Sequence, residues 1–138
     1  MEPLNEARIH CSATSFSSKV YYTGDLLKSN TYDAMVNPGS IDYMDVAVSS
    51  QWQIISLSVI KVLTYPAICA INHKEVIIMG GIDKKKNHIR DIVIVDTESK
   101  TARVALQFKW EFSCSSTTLR ESNDTIVSLV ICSGENKR

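Results

Sequence analysis

The sequence predicts an all-β protein built from repeated four-stranded antiparallel units. An apolar, β-branched run that ends near glycine occurs three times, and each occurrence follows a second strand-like run that contains a cysteine. A third observation argues against helices, because no segment keeps apolar residues at three- and four-residue spacing between helix caps.

The glycine-terminated run is the clearest internal repeat. Its three copies are KVYYTGD (19–25), EVIIMGG (75–81) and TIVSLVICSG (125–134). Val76 follows Val20 by 56 positions and precedes Ile126 by 50 positions. A repeat of about fifty residues falls in the range of propeller blades.

Further strand-like runs flank each copy. The preceding runs are RIHCSATSF (8–16), YPAICAINH (65–73) and WEFSCSSTTL (110–119), which align Cys11, Cys69 and Cys114. After the first copy, YMDVAV (43–48) and QWQIIS (51–56) predict a hairpin with a two-residue Ser49-Ser50 turn. After the second copy, RDIVIVD (90–96) and TARVALQF (101–108) predict a hairpin with a turn at residues 97–100.

Each complete unit therefore contains four short strands in meander order, as a propeller blade does. We expect one domain over residues 1–138, with blade-like units at 7–57 and 58–108 and a partial unit at 109–138. These roughly two and a half blades are too few to close a ring, which needs about four to eight. The uncovered blade faces would then require a protein partner or self-association.

The central unit resembles the kelch repeat. EVIIMGG, a polar loop, DIVIVD and a strand after a tight turn follow the kelch order, while RIHCSA before KVYYTG is similar to the kelch opening strand. The kelch tyrosine and tryptophan positions fall on Val95 and Ala102. The resemblance implies a partial kelch-like β-propeller with antiparallel four-stranded blades. The residues expected to have structural roles in it are Gly24, Gly80, Gly81 and Trp52.

Charge and motif content narrow the function. Fifteen basic and fifteen acidic residues give a formal charge of +0, which argues against nucleic acid as a partner. The N-terminal residues lack the pattern of a secretory signal, and no apolar run is long enough to span a membrane. We therefore expect a cytoplasmic protein without a membrane partner.

The sequence also lacks the common motifs of metal and nucleotide sites. The four cysteines form no CxxC pair, and the glycine pair leads into no phosphate-binding helix. We therefore predict no catalytic residue, no cofactor and no metal.

These observations favour a non-catalytic protein–protein interaction module. By resemblance, kelch-type propellers serve as adaptors, as scaffolds and as substrate-recognition parts of ubiquitin ligases, often beside a BTB or F-box domain. The predicted binding loops are residues 26–40 and 82–89, which are polar and occupy equivalent places in two units. The residues expected to contact a partner are Lys28, Asn30, Tyr32, Asp33, Lys84, Lys85, Lys86, Asn87 and His88. The alternative is a fragment of a propeller enzyme whose active site needs further blades.

Overall fold

The computed structural model contains only β-strands and connections in its described residues, which confirms the predicted all-β class and the antiparallel four-stranded sheets. It describes residues 3–4, 8–26, 39–57, 66–83, 85–107, 114–120 and 126–133, and for the last two ranges only the backbone pairing. Sheet 1 contains β1 (Arg8–Phe16), β2 (Lys19–Leu26), β3 (Ser40–Asp45) and β4 (Gln53–Ser56). Sheet 2 contains β5 (Ala67–Ala70), β6 (Glu75–Met79), β7 (Asp91–Asp96) and β8 (Thr101–Gln107). A third pair joins β9 (Cys114–Arg120) and β10 (Ile126–Ser133).

Both four-stranded sheets are open antiparallel meanders. Each strand pairs with the next strand along the chain, in the spatial orders β1-β2-β3-β4 and β5-β6-β7-β8. Strand β1 contacts β5, and β5 contacts β9, so the first strands of the three sheets are neighbours. Strands β4 and β8 form the other edges of sheets 1 and 2, away from β1 and β5.

The hairpin between β3 and β4 differs from the predicted one. Strand β3 ends at Asp45 and β4 begins at Gln53, so a seven-residue connection replaces the two-residue turn at Ser49-Ser50. The Asp45 carbonyl accepts hydrogen bonds from the backbone amides of Val48 and Ser49, at 3.1 and 2.9 Å. The alternating YMDVAV pattern suggested a longer strand, but the hydrogen bonds of Asp45 turn the chain three residues earlier.

The hairpin between β7 and β8 agrees with its predicted turn at residues 97–100. The Asp96 carboxylate accepts hydrogen bonds from the Glu98 and Ser99 amides, at 3.0 and 2.9 Å. The backbone bond from Ser99 is the main cause that lowers the pKa of Asp96. An aspartate at the end of the third strand thus organises the turn in both sheets, since the Asp45 carboxylate accepts the Ala47 amide at 3.2 Å. The Ser18 hydroxyl also donates to this carboxylate and is the main cause that lowers the pKa of Asp45.

An apolar layer between sheets 1 and 2, which we call the shared layer, forms the main core. Its residues alternate along each strand, as for Ile68 and Ala70 on β5 and Val76 and Ile78 on β6. From sheet 1 and its edge the layer receives Phe16, Tyr21, Ile41, Ile55 and Leu57, and from sheet 2 Ile68, Ala70, Val76, Ile78, Val93 and Val95. Burying one large aliphatic side chain is worth about 1.5–3 kcal/mol, so this layer outweighs any single polar contact in the chain.

Sheet 2 also buries its other face. Ala67, Cys69, Met79 and Ile92 form a second apolar cluster there, against which Ile77 packs. Because both faces of sheet 2 are covered at β5, this strand is buried at all four positions. Continuous apolar runs such as AICA and VIIM are therefore the sequence signature of a sheet between two layers.

Gly80 and Gly81 end β6 and are buried, with φ angles of 64° and 87°. Glycine suits these two positions, since residues with a Cβ disfavour this conformation. The Gly81 carbonyl accepts the Ile89 amide at 2.9 Å, so the turned backbone closes the loop that follows.

We expect Gly81→Val to lower the free energy of unfolding by about 2 kcal/mol or more, because valine is strained at positive φ. Lys86→Gly is the control, because exposed Lys86 lies in the same loop with φ 65° and glycine suits that conformation. Its effect should stay below about 1 kcal/mol. Urea unfolding followed by circular dichroism measures both. Equal stability of Gly81→Val and the wild type would contradict a turn that requires glycine.

Tyr21 is a fully buried residue of the shared layer whose ring stacks with Tyr43, with 6.2 Å between ring centroids. Among the described residues, no group makes a well-formed hydrogen bond to the Tyr21 hydroxyl. Burial raises the pKa of Tyr21, and the nearby Thr97 side chain offsets part of this effect. The phenol therefore stays neutral in the folded chain at physiological pH.

Tyr21→Phe should not destabilise the chain at pH 7 by more than about 1 kcal/mol, because it removes a buried hydroxyl without a satisfied bond. A raised folded-state pKa gives stability that is present below the unfolded value of about 10 and is lost as pH rises through the folded value. The variant should therefore lose less stability than the wild type above about pH 10. Urea midpoints across this range provide the measurement. Identical alkaline losses in both proteins would contradict the assignment.

Candidate functional site

Backbone contacts join the two ends of the loop between β6 and β7, residues 80–90. An isolated β-bridge joins Ile82 to His88 near its base. The Asp83 carboxylate accepts the backbone amides of Lys85 and Asn87, at 2.9 and 2.8 Å, and the Asn87 side-chain amide at 3.1 Å. The Asp83 carbonyl also accepts the Lys86 amide at 2.9 Å. One aspartate therefore accepts four hydrogen bonds from within the loop.

The end of this loop presents a small cationic surface. Lys85, Lys86 and Asn87 are exposed, and we call these three residues the basic tip. Exposed Arg90 follows, immediately before β7. The structure therefore brings three predicted partner-binding residues together, while Lys84 lies outside the described residues.

His88 differs from its neighbours in orientation. The residue is only partly exposed, and its Nδ1 atom is buried without a hydrogen-bond partner among the described residues. The bridge to Ile82 fixes its backbone at the base of the loop. His88 is therefore less exposed than the three residues of the basic tip.

The other predicted loop connects β2 to β3. The residues of this loop that were predicted to contact a partner are Lys28, Asn30, Tyr32 and Asp33. All four lie outside the part of the chain that the structure describes. The connection follows the second strand of sheet 1, just as the loop at residues 80–90 follows the second strand of sheet 2. The two loops are thus topologically equivalent, although only the second is described.

An ion pair on sheet 1 was not predicted from the sequence. The Arg8 Nε atom donates to Asp42 at 2.5 Å, and the side chains are only 1% and 2% exposed. The same guanidinium donates to the Gly24 carbonyl at 2.8 Å and to the Ser40 hydroxyl at 2.6 Å. Gly24 therefore contributes a backbone acceptor to the network. Such a pair fixes strand geometry, and removing one partner would leave a buried charge.

Cys11 and Tyr22 form a second polar contact on sheet 1, between neighbouring strands. The thiol and the phenol lie 2.6 Å apart, and either group can donate. This hydrogen bond is the main cause that raises the pKa of Tyr22, and burial adds to it. The phenol is therefore held in its neutral form and does not act as an anionic base near pH 7.

Trp52 and three aspartates of sheet 2 and its loop have separate structural surroundings. Trp52 is partly buried and immediately precedes β4. Asp83 holds its loop, Asp96 organises a turn, and Asp91 accepts a hydrogen bond from the Gln107 amide at 2.5 Å. The part of the chain that the structure describes contains no group of three or more His, Cys, Asp or Glu side chains placed to hold a metal ion. Those same residues include no helix that is long and apolar enough to cross a membrane.

Comparisons with known proteins give no family assignment. No protein-family model matches the chain, and a search of curated proteins finds no significant match.

Asp83→Ala should loosen the loop at residues 80–90 while leaving the sheets intact, because three donors would lose the carboxylate. Hydrogen exchange of the Lys85 and Asn87 amides should quicken by about tenfold, which corresponds to a loss of roughly 1.4 kcal/mol of local protection. Amides in β6 and β7 serve as the internal control and should exchange at unchanged rates. Uniformly faster exchange across both strands would mean that Asp83 supports the whole sheet instead.

Proposed function

We propose that the chain is a non-catalytic protein-interaction module built from kelch-like blades, and that the basic tip is its partner-contacting surface. The observation that carries the proposal is the loop at residues 80–90, where Asp83 holds two adjacent lysines in exposed positions. A loop that is already ordered loses little conformational entropy on binding. Rigid presentation of exposed charge at a sheet rim suits recognition of a protein surface.

The sheet arrangement supports the blade assignment. Two four-stranded meanders share one apolar layer, and their first strands lie side by side with β9 following. Blades arranged around a common axis would place their first strands side by side in this way. Val95 and Ala102, at the kelch tyrosine and tryptophan positions, are opposite each other across β7 and β8.

The chemistry of the basic tip favours an acidic protein segment as the partner. Lys85 and Lys86 are adjacent cations, and Asp83 directs its carboxylate inward to backbone and side-chain amides. The zero formal charge of the chain argues against nucleic acid as the partner. A cytoplasmic adaptor or scaffold, such as a substrate-recognition part of a ubiquitin ligase, is the setting that the kelch resemblance suggests for this role.

The energetics limit what the basic tip contributes. Exposed ion pairs are worth about 0.2–1 kcal/mol each, so two lysines set preference and association rate more than total affinity. Further contacts must supply the remainder. We assign these further contacts to the topologically equivalent connection between β2 and β3.

We predict that Lys85→Glu/Lys86→Glu weakens binding to a fluorescein-labelled glutamate-rich peptide by about tenfold, because two attractive charges become repulsive. Lys100→Glu is the matched control, since Lys100 is also exposed and has positive φ but lies in the turn between β7 and β8. Fluorescence anisotropy at low and physiological salt gives both affinities.

The wild type should prefer the glutamate-rich peptide over a lysine-rich peptide of equal length, and this preference should fall as salt rises. Equal losses in the tip variant and in Lys100→Glu would indicate a non-specific charge effect. That result, or a wild type that ignores the acidic peptide, would remove the basic tip from the binding surface.

A further inference from the structure

Exposed large apolar side chains of the described residues lie in only two places. Val46, Val48 and Ile54 belong to the hairpin of β3 and β4, with exposures of 53%, 82% and 42%. Val104 and Leu106 belong to β8 and are 48% and 56% exposed. Both places are at the edge of a four-stranded sheet, on the side away from the contact between β1 and β5.

The two edge strands also have backbone groups to satisfy. Among the described strands, β4 pairs only with β3 and β8 pairs only with β7. Six of the seven residues of β8 are exposed, and no described strand other than β7 lies beside it. The occupant that best satisfies such an edge is another extended strand, since it supplies matching amide and carbonyl groups.

We infer that the occupant is a second copy of this chain, with β4 of each copy adding to β8 of the other around a twofold axis. This inference does not depend on the proposed function. Sheet 1 of one copy then continues into sheet 2 of its partner, and both open edges are satisfied by one symmetric contact. The zero formal charge of the chain adds no net repulsion between the copies.

Charge distribution favours pairing of β4 with β8 over pairing of β8 with itself. Strand β4 contains no charged residue, while β8 contains one, Arg103. A β8 pair around a twofold axis would bring two Arg103 side chains onto neighbouring positions. Strand β4 instead places uncharged residues next to that arginine.

The faces of the two sheets also match in this arrangement. Ile54 is opposite Asp42 and lies on the face of sheet 1 that points away from the shared layer, because its neighbour Ile55 points into that layer. Leu106 is opposite Ile92, on the face of sheet 2 that points away from the shared layer. In the continuous sheet, Ile54 and the partner's Leu106 are therefore on the same face. Val104 lies on the other face, with Val93, and extends the shared layer.

Sedimentation velocity of the full chain over a concentration series tests the inference. We expect a reversible species of twice the 15.4 kDa chain mass, with a micromolar Kd suited to a small interface. Ile54→Lys should raise this Kd by about tenfold or more, because the cation would face the apolar partner strand. Ile54 is exposed in the single chain, and circular dichroism and thermal melting check that the variant is folded.

Val48→Lys is the matched control, since Val48 is the most exposed of these apolar residues but lies in the turn outside β4. It should leave the Kd unchanged. An equal effect of Val48→Lys and Ile54→Lys would indicate general apolar association and would overturn the inference, as would a wild type that remains monomeric.

A charge pair identifies which strands meet. Leu106→Glu alone should weaken the dimer, and Ile54→Lys combined with Leu106→Glu should restore it, because lysine and glutamate face each other across β4 and β8. Pairing of β8 with itself would instead place two glutamates near each other, and the double variant would stay monomeric. A folded double variant that fails to dimerise would overturn the assigned pairing.

Discussion

The shared apolar layer between the two four-stranded sheets is the constraint on which the rest of the structure depends. Neither sheet alone can cover the face that carries Ile41 and Ile55 or the face that carries Ile78 and Val95. A single antiparallel sheet with one apolar face needs a second layer, and here the next repeat along the chain provides it. Each repeat contains the residues of one four-stranded sheet, and that sheet covers the apolar face of its neighbour. The repeat length of the sequence is thus a consequence of packing.

Polar contacts set the relative position of the two sheets within this apolar packing. The Ala70 amide donates to the Thr14 hydroxyl at 3.2 Å, and Lys19 donates to the His73 carbonyl at 2.9 Å. Each such bond contributes only about 1 kcal/mol, but a sliding motion of the sheets would break both. The apolar layer therefore supplies most of the stability, and the hydrogen bonds select one alignment.

The strands were predictable because their signals are local. Runs such as VIIM and DIVIVD combine β-branched residues with a glycine or aspartate that ends the strand, and β5 to β8 occur where these patterns lie. The connection after β3 was not predictable, because its apolar alternation continues past Asp45 and only the hydrogen bonds of that residue reveal the turn. The residue types of this segment do not show whether the surrounding sheet stabilises a longer strand or an earlier turn.

The candidate site divides in the same way. The sequence indicates an exposed basic loop at Lys85 and Lys86, since a run of lysines avoids burial. It does not indicate that Asp83 orders the loop or that His88 turns inward, because both depend on backbone bonds formed after the hairpin closes. The Arg8 ion pair is harder still, since its partner Asp42 lies 34 positions away and is brought near only by the meander.

The meander order has a consequence for how the chain is made. Every strand of sheets 1 and 2 pairs with its sequence neighbour, so sheet 1 is complete once residue 56 has been synthesised and needs no later strand for its hydrogen bonds. Such local pairing closes only short loops and forms quickly. The exposed apolar face of sheet 1 must then wait for sheet 2. During translation, this interval is when the nascent chain most needs protection from aggregation.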